Sequence, residues 1–222
     1  MGDIATIVGG GTPKTKHPDY YGGEVAWITP ADLSGHKDKF ISKGTRNITQ
    51  QGLDKSGARL MPKGTVLFSS RAPIGYVAIA AKPIATNQGF KSFVLKGDVE
   101  PDYVYYYLQF GKRFATELAS GTTFPEISGK KAALIPIPVP ETIVDQRRIA
   151  AEIEKQFARL DAGVEGLKRV QANLKRYRAS VLKAACSGKL PDPDVLALEI
   201  TEDLEAALEQ FATIAEDLKR EE

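Results

Sequence analysis

A long proline-free segment with a heptad pattern constrains this 222-residue chain more than any other feature. From Thr142 to Cys186 there is no proline, and apolar residues recur in alternating steps of four and three. This pattern is typical of a helix that packs along a partner helix. At 1.5 Å per residue, residues 149–184 would span roughly 54 Å. Because a helix of that length would overhang an ordinary domain, we expect it to pair with another helix.

The apolar residues of this segment define two seams on the predicted helix. Five residues at a spacing of seven form the first seam, whereas Gln156 and Gly163 interrupt the second. A glycine at that place would let a partner helix approach closely. Gly188 and Pro191 predict the end of the helix. The residues that we predict to form a dimerisation or spacer surface are Ile149, Ile153, Leu160, Leu167, Val170, Leu174, Tyr177 and Val181.

The rest of the chain predicts a mixed domain before this helix and a second helix after it. Short β-type runs at 25–28, 65–68, 75–79 and 90–95 alternate with turns rich in glycine and proline. A helix is predicted over 102–119, and alternating prolines make 134–140 an extended edge segment. We therefore predict an α+β fold: a globular mixed domain (1–140), a long coiled-coil helix (141–190) and a shorter acidic C-terminal helix (191–222).

Charge is distributed unevenly along the chain. The net charge is +2, but residues 1–190 carry +11 and residues 191–222 carry −9. A basic body indicates a polyanionic partner. The acidic tail is either a solvated helix face or a segment that contacts a basic surface of the body or of another subunit.

Composition excludes several other classes. Cys186 is the single cysteine, so the sequence forms no internal disulfide, which is typical of a reducing compartment. With one cysteine and two histidines, His17 and His36, we expect no zinc site and no bound cofactor. No apolar run approaches 18 residues, and the first residues do not resemble a signal peptide. We expect a cytoplasmic protein that does not bind a membrane.

The glycine-rich segment 9–15 has three interpretations. It could be a tight turn, or a loop that binds a nucleotide, although Pro13 replaces the Gly-Lys-Ser/Thr ending that a Walker loop requires. We favour a basic loop that contacts DNA phosphates. Its candidate DNA-binding residues are Thr12, Lys14 and Lys16.

Ser70 and Arg71 follow a predicted strand directly. A serine nucleophile would need a histidine base, and nothing in the sequence ties His17 or His36 to Ser70. Arg71 either makes a structural hydrogen bond or ion pair, or contacts a phosphate or a guanine. We include both Ser70 and Arg71 among the candidate DNA-binding residues.

Two further polar loops carry side chains that suit base edges or phosphates. Asparagine and glutamine match adenine in the major groove, but they also cap turns. Trp27 and the tyrosines of 103–107 are more typical of a core than of a surface for base stacking. The candidate DNA-binding residues in these loops are Thr86, Asn87, Gln88, Lys91, Thr122 and Thr123.

Taken in order, these segments resemble the DNA specificity (S) subunits of type I restriction-modification systems. Each stretch is weak alone, but their joint order over about 190 residues is highly specific. The stretches that carry the resemblance are 2–13, 27–33, 62–75, 85–90, 119–127, 135–140, 145–149 and 183–190.

The resemblance implies a target-recognition domain followed by a spacer helix. Members of the family usually hold two such units in tandem, with their spacer helices paired antiparallel, whereas this sequence holds one. A symmetric homodimer would restore the two-domain layout. Implied partners are double-stranded DNA, methyltransferase subunits that carry S-adenosylmethionine, and a translocase-nuclease subunit. The chain itself would catalyse nothing.

Three alternatives to this interpretation stay open. The first is a coiled-coil dimer that binds DNA without enzyme partners. The second is a small enzyme that uses the glycine-rich loop or Ser70. The third is a structural scaffold, which leaves the basic body unexplained.

Overall fold

The computed structural model describes residues 1–71, 73–121, 125–187 and 194–219. They divide into two compact units, residues 1–150 and 151–222. The first unit mixes strands and short helices, and the long helix α5 (Ile143–Ser187) begins there and continues into the second. The predicted α+β class and the long helix are therefore confirmed. Across the described part of the chain, none of the helices has the length and apolarity needed to span a membrane.

A five-stranded mixed sheet organises the first unit. In chain order, the strands are β1 (Ala5–Gly9), β2 (Tyr21–Val25), β3 (Trp27–Ile28), β4 (Phe40–Ile41), β5 (Val66–Ser70), β6 (Ile74–Ala80), β7 (Ala85–Thr86) and β8 (Lys91–Leu95). The sheet has the order β1–β8–β5–β6–β4, in which β4 runs parallel to β6 and the other neighbours are antiparallel. Strands β3 and β7 form a separate parallel pair.

Strand β5 lies at the centre of this sheet and is covered on both faces. All five of its residues are buried, and successive side chains point to opposite faces. Phe68 packs with Phe93 in one apolar cluster, whereas Leu67 joins Phe90 in another. A strand buried on both faces is expected to be a continuous apolar run, as Val66–Phe68 is.

Four short helices complete the first unit: α1 (Gln50–Asp54), α2 (Pro101–Phe110), α3 (Lys112–Leu118) and α4 (Gly129–Ala132). The single helix predicted over 102–119 is in fact two, because Gly111 ends α2. The Gly111 amide still donates to the Tyr107 carbonyl oxygen at 2.6 Å, but its ψ of 2° departs from the helical value and turns the chain into α3. A Cβ at Gly111 would lie 3.0 Å from that oxygen.

Strand boundaries differ from the predictions mainly at the edges of the fold. The predicted run 25–28 is divided between β2 and β3, and the prediction missed β1, β4 and β7. The proline-rich segment 134–140 forms no strand. Ile135 is instead buried, and its carbonyl oxygen accepts a hydrogen bond of 2.8 Å from the amino group of Met1.

The second unit is a helical hairpin, formed by α5 from residue 151 onward and by α6 (Asp194–Lys219). The Phe211 ring lies against Gly163, where an added Cβ would be 3.1 Å from the ring. Ala207 lies against Gly166 in the same way, at 3.2 Å. The acidic tail therefore contacts the basic long helix of its own chain, and Gly163 does permit close approach of a helix. The predicted helix end at Gly188 and Pro191 lies outside the described residues.

Candidate nucleic-acid interface

Polar segments from distant parts of the sequence meet at one edge of the first unit. The Gly11 amide donates to the Thr86 carbonyl oxygen at 2.9 Å. Ser70 donates its amide to the Gly89 carbonyl oxygen at 2.7 Å and accepts from the Ile127 amide at 3.0 Å. We call this assembly of residues 10–16, 69–71, 86–91 and 126–127 the loop cluster.

Close backbone packing holds the glycine-rich segment in the loop cluster. A Cβ on Gly10 would overlap the carbonyl group of Asn87, and one on Gly11 would overlap the backbone at Ala58. Trp27 donates its ring N–H to the Gly11 carbonyl oxygen at 3.0 Å, and the Tyr21 hydroxyl donates to the Pro13 carbonyl oxygen at 2.7 Å. The segment is thus fixed at several points, and Trp27 belongs to the core, as predicted.

This geometry argues against a nucleotide-binding loop. The amides of Gly10 and Gly11 donate to the carbonyl oxygens of Phe90 and Thr86, so they are not free to bind phosphate. The element that follows is a three-residue 3-10 turn, Pro18–Tyr20, and a phosphate-binding loop would need a full helix there.

The exposed side of this segment presents the candidate DNA-binding residues Lys14 and Lys16, both on the surface. Thr12 and Gln88 are joined by a hydrogen bond between the threonine hydroxyl and the glutamine side-chain oxygen. Asn87 uses its side-chain oxygen to accept from the Gly89 amide at 2.9 Å, so this part of Asn87 caps a turn. The two loops are therefore joined by side chains as well as by backbone.

A carboxylate connects two cations on the other side of the loop cluster. Glu126 lies 3.2 Å from the Lys91 ammonium group and 3.5 Å from the Arg71 guanidinium group. Arg71 and Glu126 also form a backbone bridge. Arg71 remains 39% exposed, whereas Lys91 is 16% exposed. The structural ion pair that the sequence left open for Arg71 is therefore present, with an accessible guanidinium edge.

Some of the predicted DNA-binding residues are buried in this structure. Ser70 and Thr86 are fully buried, and burial disfavours a direct contact of either side chain with DNA. No hydrogen-bond partner of the Thr86 hydroxyl is found in the described ranges. Thr122 and Thr123 lie outside the described residues. The DNA-binding roles assigned to all of these positions stay predictions.

Neither serine catalysis nor metal binding finds support at this edge. The Ser70 hydroxyl accepts from Lys91 at 3.4 Å. His17 stacks on Tyr20, and the His36 ring lies 3.2 Å from the Phe40 carbonyl oxygen, so neither supplies a base to Ser70. Within the ranges that the structure describes, no group of three or more His, Cys, Asp or Glu side chains could hold a metal ion.

Glu126 was missed by the sequence reasoning. One signal was available, since Glu126 is the single acidic residue between Glu117 and Glu141, within a basic domain. A lone carboxylate among cations is a natural ion-pair partner. Its two partners, however, are 35 and 55 positions away along the chain, and the sequence did not name them.

The residues of the predicted dimerisation surface are separated by the fold. Ile149 packs against the core of the first unit, and Val170 is buried on the face of α5 that also carries Gly163 and Gly166. Ile153 and Tyr177 are half-buried. The exposed members are Leu160, Leu167, Leu174 and Val181.

The sequence matches a known protein family. Residues 1–168 match the family described as the type I restriction modification DNA specificity domain. The specificity subunit of the type I restriction enzyme MjaIX from Methanocaldococcus jannaschii is 44% identical over 152 residues, which are 67% of this chain and 34% of that protein. The HindI specificity subunit from Haemophilus influenzae is 27% identical over 125 residues, covering 55% of this chain and 27% of the relative.

The fold is also found among solved structures. A chain from a study of complex assembly and conformational transition in a type I R-M system aligns with a TM-score of 0.57 and 22% identity, covering 95% of this chain and 44% of that one. The present chain thus spans about a third of the length of the curated relatives and under half of the structural neighbour. Because the family match covers most of its length, the chain belongs to the type I restriction-modification DNA specificity domain family.

Proposed function

We propose that this chain reads DNA as the specificity subunit of a type I restriction-modification complex, with one recognition domain for half of a bipartite target. The loop cluster carries this proposal. It gathers polar and basic side chains from separate parts of a basic chain at one edge of the first unit, in a family described by DNA specificity. Polyanion binding by a surface of this charge is physically favourable.

Within the loop cluster, we assign different tasks to different side chains. Lys14 and Lys16 extend from a fixed loop and would contact phosphates, which position a protein on the duplex without reading sequence. The Arg71 guanidinium can face a guanine or a phosphate with two parallel donors. Gln88 is exposed and carries an amide that suits adenine.

The partners follow from the same proposal. A second copy would supply the other recognition domain, and methyltransferase and translocase-nuclease subunits would complete the complex. S-adenosylmethionine would bind the methyltransferase subunit, and this chain would catalyse no step. Such a complex acts on cellular DNA, so we expect it in the cytoplasm.

The test compares DNA binding by single variants of the full chain. Arg71→Ala and Lys14→Ala should each weaken binding about tenfold, and Lys14→Ala should also reduce the salt dependence by roughly one phosphate contact. Lys63→Ala is the matched control, because Lys63 is exposed in the turn before β5, at the opposite end of that strand from Ser70. Fluorescence anisotropy at several salt concentrations measures both effects.

If Arg71→Ala and Lys14→Ala bind DNA with unchanged affinity, neither residue contacts DNA and both have only a structural role. Co-purification of the full chain with a methyltransferase subunit separates the proposed complex from a DNA-binding dimer that acts without enzyme partners. Absence of DNA binding by the unmodified chain, even with that subunit present, would contradict the proposal.

A further inference from the structure

The helical hairpin has two different edges. Along one edge, Asp203 lies 3.0 Å from the Arg169 guanidinium, and Asp217 pairs with Arg159 and lies 3.6 Å from Lys155. These contacts join α6 to α5 by ion pairs on one side of the buried Gly163–Gly166–Val170 face. We call this side the ion-paired edge.

The opposite edge of the hairpin is apolar. On α5, Leu160 and Leu167 lie on one side of the buried face, and Lys155 and Arg169 lie on the other, given 100° of rotation per residue. On α6, Leu204 and Leu208 likewise lie across Ala207 from Asp203. Because Asp203 and Asp217 meet Arg169 and Lys155 at one edge, the leucines of both helices share the other edge. We call it the leucine edge.

The leucine edge is exposed over several turns. Leu160 is 42% exposed, Leu167 44%, Leu174 50% and Leu208 65%. Contiguous apolar surface of this kind marks an interaction site more often than isolated surface leucines do. A two-helix hairpin that buries only one face of each helix is also an incomplete bundle.

The spacing along the leucine edge is the same in both directions. Residues 157, 160, 164, 167, 171 and 174 of α5 follow steps of three, four, three, four and three. Reversal about a point between Val164 and Leu167 therefore places Phe157 opposite Leu174, and it places Leu160 opposite Gln171, the one polar member of the series. An isologous interface needs this self-complementarity, since each copy presents the same surface to the other.

Charge also fits a reversed second copy. Asp161 and Lys168 flank the leucine edge on the side of α5 away from α6, and they lie almost symmetrically about the same point. Lys168 also pairs with Glu165 of its own chain at 2.6 Å, so a second carboxylate would share its ammonium group. In an antiparallel pair, Asp161 of each copy would face Lys168 of the other. Two opposite-charge pairs would form, whereas a parallel pair would place like charges together.

The reversal describes a twofold axis that passes between Val164 and Leu167, and the position of this axis also fits α6. Gly163 of α5 is level with Phe211, and Gly166 is level with Ala207. The point between Val164 and Leu167 is therefore level with Leu208, the most exposed leucine of the edge. Both helices thus place apolar side chains where one twofold axis would bring two copies together.

We propose that the leucine edge docks onto the leucine edge of a second copy, which gives an antiparallel four-helix bundle in which α6 forms part of the interface. This rests on the proposed homodimer and specifies its surface. It differs from pairing of two long helices alone, because α6 already covers the Gly163–Val170 face within each chain.

The first experiment measures the mass of the full chain by light scattering across a range of concentrations. Leu167→Glu on α5 and Leu208→Glu on α6 should each weaken dimerisation at least tenfold. The matched controls, Ala162→Glu and Ala206→Glu, add the same charge at exposed positions on the ion-paired side and should leave the dimer intact. Circular dichroism checks that all four variants keep their helix content.

The second experiment tests orientation by thiol crosslinking in a Cys186→Ser background. A mixture of Phe157→Cys and Leu174→Cys chains should crosslink with a short bis-maleimide. Phe157→Cys chains alone should not, because two such thiols would lie about 25 Å apart in an antiparallel pair. Crosslinking of Phe157→Cys alone would indicate a parallel pair and overturn the inference.

Two other outcomes would also contradict docking between leucine edges. Neither would by itself contradict the proposed function, which is tested separately by DNA binding. If Leu208→Glu dimerises like Ala206→Glu while Leu167→Glu does not, α6 is outside the interface. If the unmodified chain is a monomer, the leucine edge has another role. In both cases, retained DNA binding by the same samples would keep the proposed DNA-reading function, whereas loss of DNA binding with an intact dimer would contradict that function alone.

Discussion

Glu126 holds two cations of the loop cluster, and we expect it to limit the strength of DNA binding. It pairs with Lys91 at 3.2 Å and Arg71 at 3.5 Å, so two cations of the loop cluster share one carboxylate. A DNA phosphate would compete with that carboxylate for the same donors. The carboxylate would therefore lower the affinity for any duplex while keeping both cations in place.

We accordingly expect Glu126→Gln to bind non-specific duplex several-fold more tightly at low salt, with a steeper salt dependence. Glu117→Gln removes the same charge from an exposed position on α3 and serves as control. Titration of both variants with one random duplex gives the comparison. Equal affinities in the two variants would mean that Glu126 does not restrain Arg71 and Lys91.

Neighbouring glycines give a second prediction at this scale. Gly10→Ala should lower the free energy of unfolding by about 1–3 kcal/mol or more, because its Cβ would overlap the Asn87 carbonyl group. Gly9→Ala should change it by less than about 0.5 kcal/mol, since nothing lies within 4 Å of a Cβ there. Urea unfolding of both variants measures the difference. Equal stability would show that the loop can shift to admit a side chain.

Single residues were predictable where the chemistry is local. Trp27 was expected in the core and is buried there, because tryptophan is highly buried on average. Ser70 and Thr86 were expected to be accessible and are buried. The segments that cover them come from elsewhere in the sequence, and no local pattern reports that cover.

At the scale of elements, the heptad pattern and the proline-free segment predicted the long helix within 141–190, and the observed helix begins at Ile143. It did not predict the partner, because an apolar seam specifies a packing face and not the helix that fills it. Part of that face is filled by α6 of the same chain. Short edge strands such as β4 and β7 were missed, since two residues are too few to show alternation.

The hairpin should respond to acid through Asp217. Hydrogen bonds from Gln156 and Arg159 lower the pKa of this carboxyl from 3.8 to about 2. Because the pKa is lowered on folding, its stabilisation is present above 3.8 and is lost as the pH falls through about 2. Asp217→Asn should therefore melt at a lower temperature than the unmodified chain at neutral pH, and this difference should shrink between pH 4 and pH 2.

Melting followed by circular dichroism at several pH values tests this expectation. Glu216→Gln, at an exposed neighbouring position of α6, should show no comparable difference at any pH. A difference for Asp217→Asn that stays constant down to pH 2 would mean that the carboxylate is not held by these contacts.

For the whole molecule, the proposed homodimer predicts the symmetry of the target. Such a homodimer would present two identical recognition domains related by a twofold axis, so it should select two inverted copies of one half-site at a fixed spacing. Linked binding of both halves should raise affinity by roughly 10²–10⁴ over a single half-site.

Selection from random duplexes would reveal this target. Leu167→Glu should still select the half-site and should lose both the fixed spacing and the gain in affinity. Recovery of two unrelated half-sites by the unmodified chain would contradict a symmetric reader. The order of units along the chain was predictable from composition and periodicity. The proposed symmetry depends on the leucine edge, which the sequence alone did not reveal because it is formed by α5 and α6 together.

Gly10 and Gly11 pack closely against the backbone at Asn87 and Ala58. This packing has a consequence for how the DNA specificity of such a domain can evolve. The frame of the loop cluster is fixed by main-chain contacts and by hydrogen bonds from the Trp27 and Tyr21 side chains, so exposed side chains such as Lys14 and Lys16 contribute little to it. New side chains at those places would alter which bases are preferred without a new fold. The two glycines would thus allow the fold to stay the same while exposed side chains vary and change the specificity.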